Sequence, residues 1–227
     1  TLLNKLLLPF SKILNISSMG LICIISAFLG GYPYSAILIK DFKEKGYISQ
    51  NEANNILYFF FFPSLSFQIA LYNNNKVVFK IILINVLIAF LILLFINKPT
   101  KNVINDNSIQ TKDLFINVMN NTYKSIFSIA FTILFFSLLS FYVSFLIKSN
   151  FLNDLISGML EFSLTSITLS IKNDIASNLL LSFILSFGSF SIFFQMKYYI
   201  KNIKLIKLIL IRLIFSIVVT SILYFYL

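Results

Sequence analysis

Val77-Val78-Phe79-Lys80-Ile81-Ile82-Leu83-Ile84-Asn85-Val86-Leu87-Ile88-Ala89-Phe90-Leu91-Ile92-Leu93-Leu94-Phe95-Ile96 decides the fold class. A hydrocarbon core about 30 Å thick needs about 20 apolar residues in one helix, and this run supplies them without glycine or proline. The run at 125–147 is equally uninterrupted. Further apolar runs lie at 17–39, 55–72, 151–171, 175–196 and 207–227. The expected architecture is therefore all-α, a polytopic transmembrane helical bundle. Composition agrees: 58% of the residues are hydrophobic, 11% are charged and the mean hydropathy is +0.90. Soluble domains carry about 45–50% apolar and about 25% charged residues, so a water-soluble globule is excluded.

Several chemistries are excluded at the same stage. Histidine is absent and Cys23 is the one cysteine, which removes internal disulfides, thiolate clusters and the usual neutral-pH proton shuttle. No metal or cofactor is expected. With no paired carboxylates on one apolar run and no nucleophile beside a base, the chain does not read as an enzyme. The formal charge of +10 comes from lysines scattered among short loops, so nucleic acid is not an expected partner. The chain opens on Thr1, from which we expect it to continue upstream. Its wealth of Phe, Ile, Asn and Lys suggests an AT-rich bacterial genome.

Five of the seven runs contain residues that lipid-facing helices avoid. These are Gly30, Gly31 and Pro33 in the first, Pro63 in the second, Asp154, Gly158 and Glu161 in the fifth, Gly188 in the sixth and Arg212 in the last. Backbone broken at membrane depth survives only inside protein or beside a cavity. Two stretches read instead as amphipathic interfacial helices. One has Leu2, Leu3, Leu6, Leu7, Phe10, Ile13 and Leu14 opposite Asn4, Lys5, Ser11 and Lys12, and the other carries Leu114, Phe115, Val118, Met119 and Thr122. The polar segment 97–111 joins halves 1–96 and 112–227 of a single membrane domain. Gly46 reads as a helix C-cap, and Ser49-Gln50-Asn51-Glu52 as the capping box that starts the next helix.

If all seven runs cross, Lys and Arg divide ten against eight and give no orientation. If 151–171 dips in and returns, the division becomes twelve against six. This single re-entrant hairpin is the preferred topology, and it puts the basic loops around 40–52, 97–124 and 197–207 in the cytoplasm.

The residues that carry function are read from the interruptions. Gly30-Gly31-Tyr32-Pro33-Tyr34-Ser35 ends one half-helix and begins another whose amides suit an anion. Phe187-Gly188-Ser189-Phe190-Ser191, followed by Gln195, sits at a comparable place in the other half. An offset of 158 residues pairs Gly30 with Gly188, giving two weak repeats. Glu161, followed by Ser163, Thr165, Ser166 and Thr168, places a carboxylate in mid-membrane at a cost of about 2.5 kcal/mol or more. It serves either a translocation site or a stitch between helices, protonated or paired with Arg212.

Four of these stretches occur in an order that resembles the YlbJ-type sporulation integral membrane proteins of the nucleoside-recognition or Gate superfamily. They are Gly31-Tyr32-Pro33, Glu44-Lys45-Gly46-Tyr47-Ile48-Ser49-Gln50-Asn51-Glu52-Ala53, Ser157-Gly158-Met159-Leu160-Glu161, and the run from Ser182 to Ser191. The resemblance covers nearly the whole chain and implies a carrier in the bacterial cell membrane or the membrane around the forespore. It also implies movement of a small anion such as dipicolinate. Carried over, the substrate-binding set is Gly31, Tyr32, Pro33, Ser35, Gly158, Glu161, Ser163, Gly188, Ser189, Ser191 and Gln195. The chain departs from the family at Phe59-Phe60-Phe61-Phe62-Pro63-Ser64, which keeps the proline and a serine without the amides. The implied partners are a small-molecule substrate and the bilayer, and an assembly of several copies is compatible with both. Two alternatives stay open: a nucleoside-like cation-coupled carrier, and a non-transporting scaffold of the spore envelope.

Overall fold

The computed structural model describes residues 9–32, 34–96, 114–200 and 203–227, with the side chains of 114–122, 124 and 125 left out. Among these, every regular element is a helix. A one-turn helix at 9–14 precedes eleven longer ones. In the first half these are α1 (Ser18–Gly30), α2 (Tyr34–Glu44), α3 (Gln50–Phe59), α4 (Leu65–Asn74) and α5 (Val77–Ile96). In the second half they are α6 (Leu114–Leu146), α7 (Asn150–Leu160), α8 (Phe162–Lys172), α9 (Ile175–Phe187), α10 (Phe190–Tyr199) and α11 (Leu205–Tyr226). Four apolar stretches are long enough to cross a membrane: α5, residues 126–146 of α6, α9 with α10, and α11.

The interruptions fall where glycine, proline and the buried acid stand, but they do two different things to the chain. At 31–33 the chain reverses. Ser17, at the start of α1, donates from its backbone N–H and its hydroxyl to the Glu52 carboxylate, both at 2.7 Å. Glu52 lies in the first turn of α3, which starts six residues after α2 ends, so α1 leaves one face and α2 returns to it. With 13 and 11 residues, the arms are about 20 and 17 Å long, too short to cross. The run 17–39 is thus a re-entrant hairpin, hairpin A, and not the crossing expected from its length.

At 161 the chain also reverses. Lys172 at the end of α8 pairs with Asp154 in the first turns of α7, although the tip at Glu161 lies between them. Residues 151–171 therefore form hairpin B, as the charge count predicts. The breaks at 60–64 and 188–189 let the chain continue. α3 begins beside Ser17, whereas the end of α4 lies beside hairpin B: Asn74 donates to Ser170 at 3.3 Å and Asn75 to Asn178 at 2.6 Å. The segment 50–75 consequently runs from the open end of one hairpin to the open end of the other, and the two hairpins enter from opposite faces.

Each half thus repeats one unit in inverted orientation: a hairpin, a broken crossing helix and an unbroken one. The sequence carries this repeat at an offset of 127 residues, which aligns Phe60 with Phe187, Ser64 with Ser191, Phe67 with Phe194, Gln68 with Gln195 and Tyr72 with Tyr199. That register replaces the offset of 158, which set a hairpin tip against a broken crossing helix.

Local chemistry explains the ends. Tyr47 N–H bonds to Phe42 carbonyl and Gly46 N–H to Lys43 carbonyl, with Gly46 at φ 73°, a Schellman end for α2 as anticipated. Ser49 caps α3 by accepting from Glu52 N–H. Glu52 itself turns to Ser17 instead of closing the expected capping box, because Ser17 offers a buried carboxylate two donors. The second amphipathic stretch is not a separate interfacial helix: with no glycine or proline between 114 and 146, it continues unbroken into the α6 span. Residues 1–8 of the first stretch lie outside the described residues; within 9–14, Phe10 and Ile13 are exposed whereas Leu14 and Ser11 are buried. Packing is closest between α9 and α11. The fully buried Ser182, Ser186 and Ser216 keep side chains small on these two helices, which lets backbones approach where lipid supplies no hydrophobic drive.

Candidate functional site

The two hairpin tips meet in the interior. Tyr32 at the tip of hairpin A and Phe162 at the tip of hairpin B pack edge to face, ring centroids 5.0 Å apart, and Tyr32 also lies 4.8 Å from Phe61 in the first break. Tyr32 N–H donates to Phe62 carbonyl at 3.2 Å, tying tip A to that break. Gly31 makes this approach feasible. Its φ is +67°, and a Cβ there would collide with the backbone of Ser64 and Pro63. Pro33 lies outside the described residues.

Glu161 is 2% exposed and occupies tip B in extended conformation. Its carboxylate caps α8, accepting from Ser163 N–H at 3.0 Å, Ser163 hydroxyl at 2.7 Å and Leu164 N–H at 3.3 Å. The charge therefore sits on the positive end of its own half-helix. It forms no ion pair with Arg212 among the described residues, whose ion pairs are Lys40–Glu44 and Lys172–Asp154.

Arg212 is the residue that sequence reading left out of the site. It stands in the middle of α11, 0% exposed, with its guanidinium turned to the second break. It donates to the Ser186 carbonyl and, from Nε at 3.4 Å, to the Phe187 carbonyl, the final carbonyls of α9. The rings of Phe215 and Phe62 lie 4.9 and 5.5 Å from its Cζ. Its Nη1 has no partner; the buried Tyr32 hydroxyl and Ser186 hydroxyl have none either. A buried cation, the unspent Ser186 hydroxyl and the N-terminus of α10 are thus gathered around one break. Nothing caps α10 from a side chain, since the Ser189 hydroxyl is paired with that of Ser191 at 2.9 Å.

The remaining sequence-derived residues divide by position. Ser35 is buried on α2, three residues past the tip, with a free hydroxyl. Gly158 admits Ile184 of α9 against hairpin B, a packing position. Gly188 has φ +87°, yet a Cβ would meet nothing closer than the Phe193 ring at 3.9 Å, so only its conformation calls for glycine. Gln195 is buried one to two turns up α10, toward the opposite end from the break.

The repeat that leads to Arg212 also leads to Asn85, its counterpart at the same offset on α5. Asn85 donates to Ile81 carbonyl, and its Oδ1 is buried without a partner. It lines a cavity of about 10 Å³ with Phe62, Pro63 and Gln68, room for a single water. A wider groove of about 310 Å³ opens on the face where α2 ends and α3 begins, between those helices and the end of α10, lined by Lys40, Lys43, Asn54 and Tyr198.

No family model, curated protein or solved structure matches this chain.

Proposed function

We propose that this multi-pass membrane protein is a carrier of a small anion and not an enzyme. The observation that carries the reading is Arg212: a fully buried guanidinium, bound to two carbonyls and with one donor unspent, but with no carboxylate paired to it. An isolated charge at this depth is costly, and residues placed so usually serve a transported ligand. Two re-entrant hairpins of opposite entry, meeting at two broken helices, support a carrier, because inverted repeats provide two alternative closures around one central site. The YlbJ-like order of motifs supports a dipicolinate-like aromatic carboxylate and a place in the bacterial membrane around the forespore. The basic residues support the orientation. Among the described residues, Lys12, Lys40, Lys43, Lys45, Lys197, Lys204 and Lys207 fall on the side of the open end of hairpin A, and Lys76, Lys80, Lys148 and Lys172 on that of hairpin B, which supports a cytoplasmic placement of the first.

The rival in which Glu161 holds a nucleoside or a coupling cation has less support, because that carboxylate already accepts from the start of α8. The test is uptake by proteoliposomes of dipicolinate, benzoate and uridine. The two carboxylates should enter and uridine should not. Arg212→Gln should abolish entry while the protein still inserts and elutes as a single species; undiminished carboxylate uptake by that variant would overturn the reading.

A further inference from the structure

We infer that the carrier works by exchange: its loaded form passes between the two faces, and its empty form does so about 100-fold more slowly. The inference rests on the anion reading above and on one further question, what neutralises Arg212 when no ligand is bound. The carbonyls of Ser186 and Phe187 are dipoles and carry no net charge. The buried carboxylates are both committed elsewhere, Glu161 to the N-terminus of α8 and Glu52 to Ser17 near the face where α1 begins. Lys172 holds Asp154 and Lys40 holds Glu44. No described acid therefore forms an ion pair with Arg212 in the closed interior.

While the site is open to one face, water solvates the guanidinium. To change faces the carrier must pass through a form closed at both ends, and there the guanidinium is dry. A bound anion neutralises it in that form, with the Ser186 hydroxyl available as a further donor. Without an anion the charge stands alone among Phe62, Phe215 and the helix backbone. A factor of about 100 corresponds to about 2.8 kcal/mol at 1.4 kcal/mol per tenfold, within the range found for an unpaired arginine at mid-membrane.

The experiment uses proteoliposomes containing the full chain, loaded either with 1 mM unlabelled benzoate or with buffer and sucrose alone, and measures the initial uptake of labelled benzoate, dipicolinate, acetate and phosphate. Exchange predicts uptake about 100-fold faster into the benzoate-loaded vesicles for whichever anions are carried. Arg212→Gln should lose that stimulation, leaving any residual uptake indifferent to the internal anion. Equal rates into both vesicle types would overturn exchange and leave the anion carrier standing, as would stimulation that survives in Arg212→Gln. Uptake of none of the four anions into either vesicle type would overturn the anion reading itself, and exchange with it.

Discussion

Replacing Gly31 by alanine tests the contact on which hairpin A depends. Two costs add. The backbone at φ +67°, ψ −173° is in a region essentially reserved for glycine, which a Cβ-bearing residue adopts at about 1–3 kcal/mol. The new Cβ would also run into the backbone nitrogen and Cα of Ser64 and the carbonyl carbon of Pro63, atoms that cannot swing aside as a side-chain end can. Tip A must then withdraw, stretching the 3.2 Å bond from Tyr32 N–H to Phe62 carbonyl, worth about 0.5–1.5 kcal/mol. The expected loss is about 2–4 kcal/mol. Gly188→Ala is the internal control: its φ of +87° carries the same conformational cost, but a Cβ there has open space out to 3.9 Å. It should lose about 1–3 kcal/mol, without the added cost of a backbone clash. Equilibrium unfolding in mixed detergent micelles, titrated with SDS, reads both. Equal losses, or a milder effect at Gly31, would refute the close approach of tip A to the first break.

Three further outcomes follow from the caps and the buried cation. Glu161→Leu removes the cap of α8 and leaves Ser163 and Leu164 N–H groups unsatisfied, so thermal stability in detergent should fall by about 1–2 kcal/mol, where a mere interhelical stitch would tolerate leucine. The Asp174 carboxyl accepts from Ser177 hydroxyl and N–H, which hold it below the usual carboxylate range. A lowered folded value means that this cap contributes above about pH 4, the unfolded value, and fades as pH falls through the folded one. Thermal melts between pH 7 and 3 should show an acid-side loss that Asp174→Asn reduces. Arg212→Lys keeps the charge but not the fork that spans two carbonyls, so reconstituted uptake should fall while remaining measurable, between wild type and Arg212→Gln.

The membrane class and the places where helices stop were legible in the sequence. Apolar length gives the first, and glycine, proline and a mid-membrane acid give the second. What a stop does to the chain was not legible, since Gly31 and Gly188 look alike in sequence: the chain reverses at one and continues at the other. The direction depends on what waits at the far end of the next helix, and for hairpin A that is the pairing of Ser17 with Glu52 across 35 residues. Charge counting found hairpin B because Lys148 and Lys172 flank it closely. Burial of Glu161 was readable, whereas its partner was misjudged, although Glu161 stands two residues before Ser163 as a helix-starting acid does. Arg212 drew notice as an oddity of the last span and as a possible partner of Glu161, not as part of the site. Its role depends on the carbonyls of Ser186 and Phe187, 26 and 25 residues earlier, and the signal that could have raised its standing was the repeat at 127 residues.

The inverted repeat rests on a pair of re-entrant hairpins entering from opposite faces. Single cysteines at Lys12, Lys43, Lys148 and Lys172, in a background with the buried Cys23 replaced by serine, test it in intact cells with a membrane-impermeant maleimide. Lys148→Cys and Lys172→Cys should react from outside, while Lys12→Cys and Lys43→Cys should react only once the membrane is opened. Opposite accessibility of 12 and 43, or of 148 and 172, would turn that hairpin into a crossing helix and contradict the inverted repeat.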